Sequence, residues 1–118
     1  MRSRWRVGST VALLLVGSAA AAHAFLEEAN PRVGSTVRDV PREVTLRFTQ
    51  DLEPAFSSVT ITDAAGLRVD AGNPSFGGNI IRVPLREIGT GSYRVTWRVL
   101  SVDTHPTEGS FSFVVDKP

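Results

Sequence analysis

Apolar and polar residues alternate in short runs along most of the chain after residue 25, and this period of two leaves few folds open. Alternation places one face of each extended run in a core and the other in solvent. The apolar members of the runs are Val44, Leu46 and Phe48; Val59 and Ile61; Ile81 and Val83; Tyr93, Val95, Trp97 and Val99; and Phe111, Phe113 and Val115. No stretch keeps the 3.6-residue period over the length of a helix. The pattern predicts an all-β chain.

Turn-forming residues separate these runs. Gly, Pro, Asn and Asp concentrate in connections at residues 30–41, 63–66, 71–78 and 89–91. With a weak first strand at residues 25–29 and a short one at 67–69, the pattern gives about seven strands. That number in ~100 residues is typical of an immunoglobulin-like Greek-key sandwich or a flattened β-barrel. The last two runs are predicted to pair or to face each other in the core.

The first 22 residues have the pattern of a secretory signal peptide. Three arginines in the first six residues precede an apolar stretch at 7–19 and a run of alanines. Glycine, serine and threonine within the stretch make it a poor membrane span of ~20 residues. Two cuts fit the preference for small residues: after Ala22, which makes His23 the new N-terminus, and after Ala24, which removes that histidine. We predict a signal at 1–22 and one β domain at 23–118.

Charge and cysteine content exclude several classes of protein. The chain has 13 basic and 12 acidic side chains, but three arginines leave with the signal, so the remainder carries a net charge of −2. No basic run follows residue 6, and we therefore expect no nucleic-acid partner. The absence of cysteine excludes a disulfide scaffold, a thiolate metal site, an iron–sulfur cluster and a cysteine nucleophile.

The sequence offers little for catalysis. It has no glycine-rich phosphate loop of the required form, no G-x-S-x-G and no H-E-x-x-H motif. The pairs Asp51/Glu53 and Glu27/Glu28 are typical of solvated loop charges rather than of a glycosidase. We expect a protein that is not an enzyme.

The segment SVDTHPTEG places Asp103 and His105 two residues apart, between the two strongest strands. Pro106 favours an extended conformation for the histidine before it, and residues i and i+2 of an extended chain point to the same side. A carboxylate and an imidazole would then converge. The alternative is a polar hairpin loop in which Asp103 accepts hydrogen bonds from local amides and His105 is merely exposed. This segment alone favours the alternative.

His23 changes that balance if it is the first residue after cleavage. Its α-amine and one ring nitrogen can chelate a single ion, and His105 and Asp103 would complete a set of three nitrogens and one oxygen. Such a set suits a tetragonal divalent ion, and Cu(II) stands highest in the affinity order; zinc is an alternative that prefers a tetrahedron. The only methionine is Met1 and there is no cysteine, so a Cu(I) site is not expected.

Three segments together resemble the CopC copper-resistance family of exported bacterial copper-binding domains. They are HAFLEEANPRVGSTV, RFTQDLEPAFSSVTI and the closing YRVTWRVLSVDTHPTEGSFSFVV. The resemblance implies a Greek-key β-barrel that binds Cu(II) through the amine and ring of His23 together with Asp103 and His105. It also implies cleavage after Ala22. Because the mature chain has only two imidazoles, we predict one copper ion per chain.

The sequence departs from the family pattern at two places. The methionine-rich loop of some members is missing between Thr62 and Asn79, and Gln50 stands where some members carry a glutamate near the copper. Asp51 is the adjacent carboxylate that would substitute for it. The family also implies a periplasmic or extracellular location and a membrane copper transporter of the CopD type as partner. We expect a monomer.

Two residues of the closing segment have structural interpretations. Trp97 is predicted to anchor the two sheets, and Arg98, on the opposite face of its strand, is predicted to be a solvated surface arginine. Two other functions stay open at this point. One is a metal-free sandwich that binds a protein through its edge strands or loops. The other is a small copper oxidase, because an N-terminal histidine with a second histidine resembles the brace of copper oxygenases.

Overall fold

The computed structural model describes residues 23–118, and the predicted signal peptide at 1–22 lies outside the described residues. Eight β-strands and one 3-10 turn at Pro54–Phe56 make up the regular structure of this part of the chain. No helix in it is long and apolar enough to cross a membrane.

The strands form two four-stranded sheets. Their bounds are Leu26–Asn30 (β1), Thr36–Val37 (β2), Glu43–Phe48 (β3), Ser58–Asp63 (β4), Ser75–Gly77 (β5), Ile80–Pro84 (β6), Gly91–Leu100 (β7) and Pro106–Val115 (β8). The first sheet has the order β1-β3-β6-β5 and the second has the order β2-β8-β7-β4. Neighbours are antiparallel except β2 and β8, which run parallel. The prediction of an all-β sandwich is confirmed.

The two ten-residue strands β7 and β8 pair antiparallel along their whole length, from Gly91 opposite Val115 to Leu100 opposite Pro106. The prediction that the two strongest runs pair is therefore correct. The hairpin places residues 101–105 at one end of the second sheet. This end of the sandwich also holds the last residues of β3 and the first described residues of the chain, because Thr49 N–H donates to the carbonyl oxygen of Phe25 (2.9 Å).

The core lies between the sheets and consists of the alternating apolar side chains that the sequence pattern predicts. The largest fully buried ones are Phe48, Phe113, Leu46, Ile61 and Ile81. Burial of side chains of this size contributes ~1.5–3 kcal/mol each, which is the main stabilising term in a chain without disulfides.

The structure differs from the prediction in its shortest strands. β2 and β5 lie inside connections that the turn residues marked as irregular, at 30–41 and 71–78. The strand predicted at 67–69 is instead an isolated bridge of Arg68 to Thr62. Runs of two or three residues are too short to show alternation, so their pairing is decided by the neighbouring strand.

Candidate metal centre

Residues 23–25, here called the N-terminal arm, are attached to both sheets. Ala24 is fully buried, and its carbonyl oxygen accepts a hydrogen bond from Thr107 Oγ1 of β8 (2.7 Å). Phe25 N–H donates to Thr49 Oγ1 (2.9 Å), and the same hydroxyl donates to the carbonyl oxygen of His23 (3.4 Å). His23 is therefore held at a defined place at the end of the sandwich.

Residues 101–105, here called the D-x-H loop, form a tight turn between β7 and β8. Thr104 N–H donates to the carbonyl oxygen of Ser101 (2.8 Å). Ser101 is fully buried, and its hydroxyl lies 3.4 Å from both the amide nitrogen and the carbonyl oxygen of His105. The buried serine fixes the backbone of the histidine, while the side chains of Asp103 and His105 stay exposed.

The arm and the loop bring the two imidazoles of the described chain together. The ring centroids of His23 and His105 are 4.8 Å apart, with an angle of 29° between the ring planes. These residues are 82 positions apart in the sequence, so their contact is a product of the fold. Imidazole is the commonest metal ligand in proteins, which makes two rings this close a candidate ligand pair for a first-row transition metal.

Asp103 lies in the same turn but is not part of a compact three-residue cluster. Within residues 23–118, no three His, Cys, Asp or Glu side chains are grouped closely enough to hold a metal ion by side chains alone. The structure thus brings His23 and His105 together, and leaves the side chain of Asp103, two residues before His105, exposed to solvent.

The prediction that the side chains of Asp103 and His105 point to the same side because the backbone is extended was wrong. It required extended backbone across the motif, but Thr104 between them has φ 65°, in the left-handed region. A β-branched residue is unfavourable there, and the turn is closed by the hydrogen bond from Thr104 N–H to Ser101. The carboxylate and the imidazole are consequently related by a turn and not by strand alternation.

Asp51, the carboxylate predicted to substitute for the missing glutamate, does not form a close three-residue group with His23 and His105 in the described part of the chain. Its backbone carbonyl accepts a hydrogen bond from Val102 N–H (3.1 Å), which ties it to the D-x-H loop. Its carboxylate lies beside Gly78, where a Cβ would come within 3.3 Å of Asp51 Oδ1. Gln50 precedes it in the same segment between β3 and the 3-10 turn.

Trp97 and Arg98 have the placements that their strand alternation predicts. The indole of Trp97 packs against the core, edge-on to Phe48 (ring centroids 6.1 Å) and tilted against Phe111 (6.2 Å). The side chain of Arg98 is exposed and forms an ion pair with Glu108 at 2.9 Å. Trp97 therefore joins the two sheets next to the N-terminal arm.

The charged groups nearest the arm on the first sheet belong to a structural clamp. Arg47 donates to the carboxylates of Glu27 and Glu28, and these acceptors raise its pKa above the usual value, the hydrogen bond to Glu28 contributing most. Arg47 is half-buried and both carboxylates are exposed, so water screens the ion pairs and the clamp contributes little stability.

Sequence reasoning missed the residues that place His23. Thr49 directly follows β3 and Thr107 lies in β8. Nothing in their sequence neighbours marks either as a hydrogen-bond partner of a segment more than 20 residues away. The only available signal was the position of Thr107 two residues after His105, at the start of the strand that follows the loop.

Comparisons with known proteins agree with this architecture. The CopC domain model matches residues 26–116, a range that includes Asp103 and His105 and begins three residues after His23. Copper resistance protein C of Xanthomonas campestris pv. juglandis is 36% identical over 114 residues, which cover 89% of this chain and 89% of that protein. The crystal structure of CopC from Methylosinus trichosporium OB3b superposes with a TM-score of 0.75 and 37% identity, covering 80% of this chain and 95% of that one.

A further solved structure is PcoC from Escherichia coli, described as a methionine-rich copper resistance protein. It superposes with a TM-score of 0.72 and 31% identity over 80% of this chain and all of that one. This chain has one methionine, Met1. The described residues form a small two-sheet β-sandwich with two imidazoles brought together at one end. The chain belongs to the CopC family of copper resistance proteins.

Proposed function

We propose that this protein binds one Cu(II) ion after export, through the α-amine and ring of His23, the ring of His105 and the carboxylate of Asp103. The observation that carries the proposal is the 4.8 Å separation of the two imidazole rings. The proposal requires cleavage after Ala22, because only a terminal His23 has a free amine that can chelate together with its own ring.

The donor chemistry supports Cu(II) over other ions. Three nitrogens and one oxygen suit the tetragonal preference of Cu(II), whereas Cu(I) prefers thiolate and thioether donors. Residues 23–118 contain neither cysteine nor methionine. With two histidines in that range, the chain supplies nitrogen ligands for one tight site.

Asp103 is the fourth donor in the proposal. Its carboxylate is exposed and sits two residues from His105 in a turn whose backbone is fixed by Ser101. An anionic oxygen would neutralise part of the charge of a divalent ion that is otherwise bound by neutral nitrogens.

The first experiment tests the N-terminal ligand. The exported protein is purified, its first residue is established by intact mass, and its Cu(II) affinity is measured by competition with a chelator. Acetylation of the N-terminal α-amine removes that donor without changing the sequence, and the acetylated protein should bind Cu(II) much more weakly. Equal affinity, or a native protein that begins at Phe25, would contradict the proposed ligand set.

The second experiment tests the carboxylate. Asp103→Asn should weaken Cu(II) binding and change the electron paramagnetic resonance spectrum, because an oxygen anion is replaced by a neutral amide. Asp39→Asn is the matched control, since Asp39 is an exposed carboxylate in the connection between β2 and β3. If both variants behave alike, Asp103 is not a ligand.

We also propose that the copper-loaded protein serves copper resistance by storage or by delivery to a CopD-type membrane transporter, from a periplasmic or extracellular location. Support for the partner comes from membership of the CopC family. Deletion of the transporter in the host should leave the exported protein copper-loaded under copper stress, whereas delivery in the wild-type host should keep the loaded fraction low. An equal loaded fraction in both hosts would exclude delivery.

A further inference from the structure

We propose that Thr49 and Thr107 are positioning residues that hold His23 beside His105, so that the two imidazoles are prearranged before any metal binds. The placement of the histidines is argued from the hydrogen bonds of the N-terminal arm. The effect on copper binding rests on the proposed function.

The two threonines hold the arm from opposite sheets. Thr49 directly follows β3 of the first sheet, and its hydroxyl accepts from Phe25 N–H (2.9 Å) and donates to the carbonyl oxygen of His23 (3.4 Å). Thr107 lies in β8 of the second sheet and donates to the carbonyl oxygen of Ala24 (2.7 Å). The arm is not part of a strand at residues 23–25. One backbone hydrogen bond, from Thr49 N–H to the carbonyl oxygen of Phe25 (2.9 Å), holds its last residue, and the hydroxyls of Thr49 and Thr107 hold the backbone of His23 and Ala24.

Thr107 links the arm directly to the strand that follows the second histidine. It is two residues beyond His105, so the bond from its hydroxyl to Ala24 connects the two imidazoles through a short path of β8 backbone. Ala24 is fully buried, and its carbonyl would lose its side-chain donor if the hydroxyl were removed. A buried acceptor without a donor is unfavourable, which favours displacement of the arm toward water.

Preorganisation is the reason these contacts matter for binding. Groups that orient a metal ligand from the next layer of structure typically change metal affinity by roughly 10–100-fold when they are removed. A chain terminus is otherwise poorly ordered, and ordering it at the moment of binding lowers affinity.

The test uses the processed exported protein with Thr107→Val and Thr49→Val, which remove each hydroxyl at nearly constant shape. We expect each variant to bind Cu(II) roughly 10–100-fold more weakly. In the copper-free protein, nuclear Overhauser contacts between the His23 and His105 rings should be present in the wild type and lost in both variants. Thr107→Ser and Thr49→Ser keep the hydroxyl and should restore both the contacts and the affinity.

Thr96→Val is the matched control. Thr96 is an exposed threonine of β7, in the same sheet as Thr107, and loss of its hydroxyl leaves the N-terminal arm untouched. Ring contacts and copper affinity that survive both valine variants would overturn the inference, as would losses of equal size in Thr96→Val. The two valine variants act on different sheets, so a folding defect in one leaves the other to decide. A wild-type protein that shows the ring contacts but binds no Cu(II) would refute the proposed function and leave the positioning role standing.

Discussion

Replacing Gly109 with alanine should destabilise the protein through a single steric conflict. Gly109 lies opposite Trp97 in the β7–β8 ladder, and the indole covers the space that a side chain would fill. A Cβ built at this position would lie 2.5 Å from Trp97 Cζ2 and 2.8 Å from Cη2. Carbon atoms in contact are normally ~3.5–4.0 Å apart, so the ring would have to move by about 1 Å.

The indole has little room for such a movement, because Phe48 and Phe111 pack against it. Overpacking of this kind costs ~1–3 kcal/mol, and the lower chain entropy of alanine in the unfolded state offsets about 0.5–1 kcal/mol of it. The two terms together allow a net loss of about 0–2.5 kcal/mol. Because the closest contact is 2.5 Å and the indole is packed on both sides, we expect about 1–2 kcal/mol within that range. For a domain of this size, that corresponds to a fall of about 4–16 °C in the melting temperature.

Thermal unfolding followed by circular dichroism measures the effect, and the fluorescence of Trp97, the only tryptophan in residues 23–118, reports whether the ring is displaced. Gly77→Ala is the control, because a Cβ at that strand position has no atom within 4 Å. We expect the control to melt at or slightly above the wild-type temperature. A Gly109→Ala variant that melts with the control, and with unchanged emission, would refute the steric argument.

Three further predictions concern pH and redox conditions. Hydrogen bonds from Arg68, the largest cause, and from Ile61 N–H hold the pKa of Asp70 below its usual value. The stability that the Asp70 carboxylate contributes is therefore present above about pH 4 and is lost as the pH falls through the lowered pKa. The difference in melting temperature between wild type and Asp70→Asn should shrink from pH 7 to pH 3, and a constant difference would contradict this. Cu(II) affinity should fall as the pH is lowered, because protons compete with the metal ion for nitrogen donors. A flat chelator-competition profile would contradict the nitrogen-rich ligand set. Ascorbate should release the copper into a Cu(I) chelator, because the mature chain has no soft donors; retention of Cu(I) would show that ligands have been missed.

The β framework was predictable because its signal is local and repeated. Strand β3 alternates Val44, Leu46 and Phe48 inward, and all three are fully buried. The long runs in β7 and β8 contain enough residues to fix both their period and their pairing. The two-residue β2 was not predictable, since its only reason to be a strand is the edge of β8 beside it.

The candidate site was only partly predictable. Donor chemistry suggested the grouping of His23 with Asp103 and His105, and the family resemblance then implied the same set; the structure brings the two histidines together. The turn at Thr104 could not be read from the sequence, because threonine disfavours positive φ and adopts it here through the bond to Ser101. The anchors of the arm depend on contacts across 24 and 83 residues of sequence, which no local pattern encodes.

The attachment of the arm to both sheets implies that copper binding and folding are linked. His23 is held by Thr49 from the first sheet and through Thr107 from the second, while His105 belongs to the loop of the second sheet alone. An ion held by both histidines would therefore add a connection between the sheets that exists only in the folded chain. A ligand that binds only the folded state stabilises it by RT ln(1 + [L]/Kd), which is ~4 kcal/mol at a thousandfold excess over Kd. If the proposed site binds Cu(II), metal capture would be linked to the stability of the whole sandwich, and the copper-loaded protein should unfold at a higher temperature than the copper-free one.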